Sequence, residues 1–279
     1  MTKVVGLRHI KLPQNPFYQW IKGRIKANKN VIIVINGGTG SGKTYSAISI
    51  AKTCADMLGS NFTVNDNIEF NFPELLKLMQ LPQNQKSGTP FIFEEVGAFG
   101  GGASAREWQS QANKFFFSFM QTSRHRNQIF IMTCPNFSFL ERGARSLVHM
   151  QINTNGIDFR RKVAYLKPYC VQINVRTGKF YFKYLRAKYK GKRIKVSRLE
   201  VPCPSDELLI PYEELKSKYT AALNQEMIDQ AKKEEEKKEK SSWSCRVCEH
   251  SWFPRSKVPS YCPRCQKRDI YSDKPEIST

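Results

Sequence analysis

The longest apolar run in the chain is Val31-Ile32-Ile33-Val34-Ile35, and no polar residue interrupts it. An unbroken run of this length predicts a strand buried on both faces. A glycine-rich turn follows, and then Ala47, Ile48, Ala51, Cys54, Met57 and Leu58 recur at helical spacing. Strand, turn and helix together predict a β-turn-α unit. Before it, Pro16 to Ile21 opens a short helix that Asn15 caps, because proline fits the first helical turn, where no backbone N–H is required. Beyond it the pattern predicts a weak strand at Asn67 to Phe70, a helix from Phe72 to Met79 and a loop from Gln80 to Thr89. Two short apolar strands follow at Phe91 to Phe93 and Ile129 to Met132, separated by a helix from about Ala105 to Gln121 with Trp108 and Phe115-Phe116-Phe117. Strands alternating with helices predict a parallel sheet covered on both faces.

After Leu147 the period shortens to two. Val171 to Val175 and Lys179 to Tyr184 alternate around Arg176-Thr177-Gly178, which predicts a hairpin. A terminal helix is predicted from Tyr212 through Ala231, and Lys232 to Lys240 is an unbroken charged run of helix or tether character. These shifts divide the chain into an α/β domain over residues 1–225 with a basic β extension at about 158–200, a charged helical linker over 226–240 and a separate small module over 241–279. No internal repeat recurs at a fixed period.

Composition narrows the class. With 279 residues, 40% hydrophobic and 12% aromatic, the chain has enough apolar material for a core and is not disordered throughout. Lys and Arg number 45 against 24 Asp and Glu, a formal net charge of +21. That field attracts polyanions, nucleic acid first and an acidic protein second. No stretch approaches the ~18 apolar residues of a membrane helix. Met1 to Pro13 carries Lys3, Arg8 and Lys11 and only a short apolar stretch at Val4-Val5, too little for a secretory signal, so an intracellular, cytoplasmic chain is expected. Four of the eight cysteines form two tight pairs near the end, a spacing that favours metal in a reducing compartment over disulfides.

Gly37-Gly38-Thr39-Gly40-Ser41-Gly42-Lys43-Thr44 satisfies G-x-x-x-x-G-K-[ST] in the context that motif requires, after a buried strand and before an amphipathic helix. Glycines let the backbone fold until its N–H groups surround an anionic oxygen cluster, and the helix adds its positive end. Lys43 is expected on the β- and γ-phosphates of ATP, and Thr44 on the Mg²⁺ that a triphosphate carries. Phe91-Ile92-Phe93-Glu94-Glu95 reads as the second half of the site, an apolar strand that ends in two acids. Glu94 is expected to hold Mg²⁺ through water, and Glu95 to orient or activate the attacking water. Thr133, at the next strand tip, either senses the γ-phosphate or, with Asn136, satisfies backbone groups at a strand exit. In Arg124-His125-Arg126 one arginine is expected to serve as an arginine finger, in cis or across a subunit boundary, with Arg142 and Arg145 as rivals and a solvated basic helix end as the alternative. Gly97, Gly100, Gly101 and Gly102 read as a flexible linker in preference to a moving loop.

From Arg160 to Arg198 there are fourteen Lys and Arg and no Asp or Glu, interleaved with Tyr165, Tyr169, Phe180, Tyr181, Phe182, Tyr184 and Tyr189. Alternation would let aromatics pack or stack while lysines reach phosphates, which suits sequence-tolerant nucleic-acid binding; a solvated sheet face with aromatic core residues is the alternative. Cys245-x₂-Cys248 and Cys262-x₂-Cys265 have the spacing of a four-thiolate Zn²⁺ site, a folding staple for a piece too short to fold unaided. His250 is expected at the surface and not as a ligand. The module is basic as well and either holds nucleic acid or docks a protein.

With the glycine loop, the Glu94-Glu95 strand, the arginines near Arg124 and the Thr133 strand tip in this order, the chain resembles the HerA-FtsK class of additional-strand P-loop ATPases. Within that class it is similar to the zonular occludens toxin-like ATPases and the genome-packaging ATPases of archaeal viruses and plasmids. The resemblance covers roughly Asn15 to Ile152 and is specific at the glycine loop. It implies a RecA-like αβα sandwich assembled as a homo-oligomeric ring, usually a hexamer, with nucleotide between subunits. It further implies Lys43 and Thr44 on nucleotide and Mg²⁺, Glu95 as catalytic, and Arg126 or Arg124 as the arginine contact. Two features depart from the class: Cys134 stands where Gln commonly follows the strand-tip Thr, and a cysteine module stands where toxin-like assembly proteins usually carry a membrane helix. The second turns the expectation from virion extrusion to a soluble motor. The expected function is an ATP-hydrolysing DNA translocase or genome-packaging motor on double-stranded DNA, with a capsid or assembly protein as a further partner, in the host cytoplasm or with the virion. The alternative is a nucleotide-switched regulatory or virion-assembly protein that recruits partners through its zinc ribbon.

Overall fold

Strand β1 (Val31–Asn36) runs through the middle of a nine-stranded sheet, which is why its residues are apolar on both faces. In the computed structural model, which describes residues 12–96, 116, 118–121, 123–189, 191–239, 243–252 and 259–272, its neighbours are β4 (Ile129–Cys134) and β5 (Met150–Asp158), both parallel to it. Beyond β4 lie β3 (Pro90–Phe93) and the two-residue edge strand β2 (Ile68–Glu69), also parallel. The strand that feeds the glycine loop and the strand that feeds the acid pair are therefore separated by β4. Parallel strands carry their carboxyl ends to one edge, where α/β proteins bind ligands. The expected glycine linker at 97–102, Trp108, Phe115 and Phe117 lie outside the described residues, whereas Phe116 and residues 118–121 are helical.

Helix α1 (Pro16–Lys26) starts as expected, with the Asn15 side chain accepting the Phe17 N–H at 3.0 Å. Helix α2 (Lys43–Leu58) carries the loop lysine at its head; α3 (Val64–Asn67) is capped by Thr63, and α4 (Phe72–Leu78) holds Pro73 in its first turn. One face of the sheet presents Ile32, Val34, Phe91, Phe93, Phe130 and Met132 to Phe72, Leu75 and Met79 of the α4 region and to Phe116 and Met120. Phe72 and Phe116 meet edge-on at 4.9 Å, a geometry that aromatic quadrupoles favour. Alternate residues such as Ile33, Ile35 and Ile131 point the other way, where α1 and α2 pack.

The alternating region continues this sheet and does not form one of its own. β6 (Val163–Ile173) pairs antiparallel with β5, then β7 (Phe180–Tyr189) with β6 and β8 (Lys192–Val196) with β7, while β9 (Leu199–Pro202) also pairs with β6. The predicted hairpin has Val171 opposite Phe182 and Ile173 opposite Phe180; the Asn174 side chain accepts the Arg176 and Thr177 N–H groups in its turn. Between β4 and β5 lies α5 (Arg142–Leu147), capped by Glu141. Helix α6 (Asp206–Glu239) starts six residues before Tyr212 and takes in the charged run through Glu239.

The chain divides into two compact units, Met1–Leu215 and Lys216–Thr279. The second contains a three-stranded sheet of order β11-β10-β12, built from β10 (Trp243–Cys245), β11 (Ser251–Trp252) and β12 (Ile270–Ser272). Among the described residues no helix is long and apolar enough to cross a membrane.

Candidate functional site

β1 brings Asn36 to the carboxyl edge of the sheet, and the chain turns there under tight constraint. A Cβ at Gly37 would lie 1.8 Å from the Thr154 hydroxyl oxygen of β5, so no side chain fits. Gly42, at φ 82°, adopts the left-handed conformation that admits the chain into α2. The Thr154 hydroxyl donates to Ser41 Oγ at 2.8 Å, and the Gln151 amide donates to Asn36 Oδ1 at 2.9 Å. Strand β5, irregular between Thr154 and Ile157, thus floors the loop formed by Gly37, Gly38, Thr39, Gly40, Ser41 and Gly42. Lys43 Nζ donates to the Gly38 carbonyl at 2.8 Å, so the ammonium group sits over that loop at the positive end of a sixteen-residue helix.

The acid strand meets this loop across β4. Glu94 is 1% exposed; its N–H donates to the Glu69 carbonyl at 2.9 Å, and the Thr44 hydroxyl donates to its carboxylate Oε1. A hydroxyl and a carboxylate brought into contact from two elements are hard oxygen donors of the kind Mg²⁺ takes, and they fit that ion. Glu95 has φ 51°, a left-handed conformation uncommon for a residue with a side chain and frequent at functional sites. Thr133 holds it there: Thr133 Oγ1 accepts the Glu95 N–H at 2.9 Å, and its carbonyl accepts the Val96 N–H at 2.8 Å. Of the two readings of the strand tip, this geometry is the backbone-satisfying one, and Asn136 behaves alike by accepting the Ser138 N–H. Cys134 beside them is buried, and burial pushes its thiol up to about 12 against the pull of the Lys43 charge.

Arg124 and Arg126 are not brought to the loop of their own chain. They lie in a 3₁₀ turn at Ser123–Arg126, just before β4, whose first residue pairs with Val31 at the start of β1. That is the amino edge of the sheet, about 20 Å from the loop at ~3.3 Å per residue of strand. Strand direction is against finger action in cis, which leaves contact across a subunit boundary or a solvated basic turn for these arginines. The rivals brace the hairpin instead, with Arg142 donating to the Gly178 carbonyl at 3.3 Å and the Arg145 guanidinium 5.7 Å from the Phe180 ring.

Several residues at the site had no local sequence signal. Thr154 and Gln151 come from β5, and Tyr212 from α6 is buried beside Thr44 and Glu94, its phenol held protonated by burial and by the Glu94 charge. His149, just before β5, ties that strand to β1: its Nδ1 accepts the Ile32 N–H at 3.0 Å, and its backbone N–H donates to the Ile32 carbonyl. Burial, then the Arg24 charge, lowers its imidazole to about 4.

On the basic extension, register sorts the side chains. Tyr169 lies opposite Tyr184 with ring centroids 4.8 Å apart, Lys195 Nζ sits 4.2 Å over the Tyr184 ring, and the Arg198 guanidinium sits 3.7 Å over Tyr165. Cations and aromatics therefore share one face. Toward the hairpin turn that face is covered where Phe182 meets Phe137 edge-on at 5.8 Å. The opposite face takes α1 against β7, where Leu185 is buried.

In the second unit the four cysteine sulfurs all lie within 4.8 Å of one another. The Cys245–Cys265 and Cys248–Cys262 sulfur separations are 3.5 and 3.7 Å, against an edge of about 3.8 Å for a tetrahedron with Zn–S bonds of ~2.3 Å. Each knuckle closes alike: the Glu249 N–H donates to the Cys245 carbonyl and the Gln266 N–H to the Cys262 carbonyl, both at 2.9 Å, with both donors left-handed. The cluster fits a metal ion such as zinc. His250 stacks on Trp252 at 5.9 Å and is not one of the four.

A strand inserted between the glycine-loop strand and the acid strand, with the loop lysine heading a helix, defines the additional-strand P-loop fold. Here that RecA-like α/β sandwich carries a hairpin-rich basic extension and a small four-cysteine ribbon. No family model matches the chain, and no curated protein matches it in sequence. Solved structures similar to it include the N-terminal domain of zonular occludens toxin from Neisseria meningitidis, 16% identical, covering 56% of this chain and 95% of that one at a TM-score of 0.37. The genome packaging NTPase B204 from Sulfolobus turreted icosahedral virus 2, in complex with AMP, is 12% identical over 57% of this chain and 98% of its own, with a TM-score of 0.33. EssC ATPases 2 and 3 from Geobacillus thermodenitrificans are 12% identical over 70% of this chain and 45% of theirs, with a TM-score of 0.34.

Proposed function

We propose that this chain is an ATP-hydrolysing motor that translocates or packages double-stranded DNA for a virus or mobile element, working as a ring of copies. The observation that carries the reading is the Thr44 hydroxyl on the buried Glu94 carboxylate at the head of the loop helix, with Glu95 held in a left-handed turn beside it. Lys43 and the loop N–H groups bind the phosphates. Thr44 and Glu94 hold Mg²⁺, which when bound neutralises charge on the triphosphate. Glu95 orients the attacking water and takes its proton. In a ring, Arg124 or Arg126 reaches the phosphates of a neighbouring copy, where its charge stabilises the transition state.

The basic extension supplies the grip. Its lysines and arginines contact phosphates without reading bases, as a motor that moves along any sequence requires. Residues 1–225 act as the motor, 226–240 as linker and 241–279 as a Zn²⁺-stapled adaptor for DNA or for a capsid or assembly protein. The test is steady-state ATP hydrolysis by the purified full chain. Turnover is expected to rise on adding double-stranded DNA and to fall at least a hundredfold in Lys43→Ala, on the order of losses seen when a phosphate-stabilising group is removed. ATP turnover that ignores DNA and persists in Lys43→Ala contradicts the motor.

A further inference from the structure

The first turns of α6 press on the metal end of the glycine loop. Tyr212 is 1% exposed, and its hydroxyl sits beside the Thr44 side chain and the Glu94 carboxylate. Its ring meets that of Tyr45 edge-on, with centroids 6.5 Å apart and planes at 85°. The next residue, Glu213, accepts a hydrogen bond from the Tyr45 hydroxyl at 2.9 Å. Two consecutive residues of one helix thus hold two consecutive residues of the other, Tyr212 against Thr44 and Glu213 against Tyr45.

Burying a phenol hydroxyl costs free energy that a phenylalanine does not incur. On the α4 side of the sheet the aromatic core is phenylalanine at Phe72, Phe91, Phe93 and Phe116, whereas the aromatic facing Thr44 and Glu94 carries an oxygen, as does the buried Tyr18 of α1. Pro211, just before it, lies inside the helix and has no N–H for the Glu207 carbonyl, so the first turn lacks one helical hydrogen bond.

We propose that Tyr212 is a positioning residue for the divalent cation: its hydroxyl fixes the Thr44 side chain so that Oγ1 faces both Glu94 and the ion. This rests on the nucleotide-site reading above. Because Tyr212 and Glu213 move with α6, the first turns of that helix tighten when the cation is in place and loosen when it leaves.

The test uses the full chain and ATPγS titrated by calorimetry, once with saturating Mg²⁺ and once in EDTA. Tyr212→Phe keeps the ring and removes the oxygen. In Mg²⁺ its affinity for ATPγS is expected to fall about tenfold, the scale of loss for a group supporting a metal ligand, while its affinity in EDTA matches wild type. Equal affinities for wild type and variant under both conditions, or an equal loss under both, overturn the proposal. A second readout needs no variant: in the wild type, amide exchange over residues 206–213 should slow with Mg-ATPγS and not with ATPγS in EDTA, and identical exchange under the two conditions also overturns it. A wild type that takes up no ATPγS defeats the nucleotide-site reading itself, whereas Mg²⁺-enhanced wild-type binding left unchanged by Tyr212→Phe defeats the Tyr212 proposal alone.

Discussion

Glu95 occupies a backbone conformation that a side chain disfavours, and Thr133 braces it there. Thr133 offers its hydroxyl oxygen to the Glu95 N–H and its carbonyl to the Val96 N–H, so the turn that aims the carboxylate depends on the tip of the neighbouring strand. Thr133→Val keeps the shape and removes the side-chain acceptor. Single-turnover hydrolysis is expected to slow at least tenfold, toward the range lost with a misplaced general base, while ATPγS affinity stays within about twofold of wild type. Unchanged hydrolysis would show that Thr133 does not position Glu95. At this scale the sequence singled out Lys43, Thr44, Glu94 and Glu95 by motif, and the fold brings Thr44 and Glu94 into contact. Thr154, Gln151 and Tyr212 were not legible, because an ordinary threonine, glutamine or tyrosine becomes part of the site only when a distant strand or helix folds against the loop. Arg124 and Arg126 were singled out with both a cis contact and a contact across a subunit boundary in view; residues that precede a parallel strand lie at its amino edge, and that polarity is against the cis contact.

Among the elements, the junction of β1 and β5 has a pH limit built into it. His149 accepts a backbone hydrogen bond from Ile32 through Nδ1, which it can do only while that nitrogen is unprotonated. Burial and the nearby Arg24 lower its value from 6.5 to about 4. An unfolded chain therefore takes a proton near pH 6.5 that the folded chain refuses until near pH 4, and stability present above pH 6.5 drains away across that interval. The loss amounts to on the order of 2 to 3 kcal/mol. Thermal melting from pH 7 to pH 4.5 is expected to fall more steeply for wild type than for His149→Asn, which keeps an acceptor and cannot be protonated; parallel curves would contradict the assignment. The β1-loop-α2 unit, the α4 helix and the hairpin were legible because each declares itself by local period and turn residues. That the hairpin joins the central sheet through β5 was not, since pairing between distant strands leaves no mark in either strand's pattern.

For the whole molecule, the chain joins a unit that has a large apolar core to one that has little. The Met1–Leu215 unit buries its own clusters on both sheet faces, whereas the ribbon in Lys216–Thr279 has a three-stranded sheet and four converging thiols. A unit whose described residues bury so little apolar area would draw much of its stability from a metal held by those thiols. Metal analysis is expected to give one zinc per chain, and a strong chelator should remove it and abolish the tertiary signals of Trp243 and Trp252 while ATPγS affinity persists. Retention of those tryptophan signals after complete zinc removal would contradict the staple. The cysteine spacing pointed to a four-thiolate cluster because metal ligation is a local, stoichiometric demand, and the fold brings those four sulfurs together. The net charge of +21 raised the expectation of a polyanion partner but did not say which face carries the charge, which strand register decides. The motor reading and the roles given to Glu95 and Tyr212 depend on a triphosphate seated in the turn between β1 and α2. Calorimetry of the full chain with Mg-ATPγS tests that most directly: one nucleotide bound per chain, and none in Lys43→Ala, is the predicted result, and no heat of binding in the wild type, or equal binding in both proteins, would contradict it.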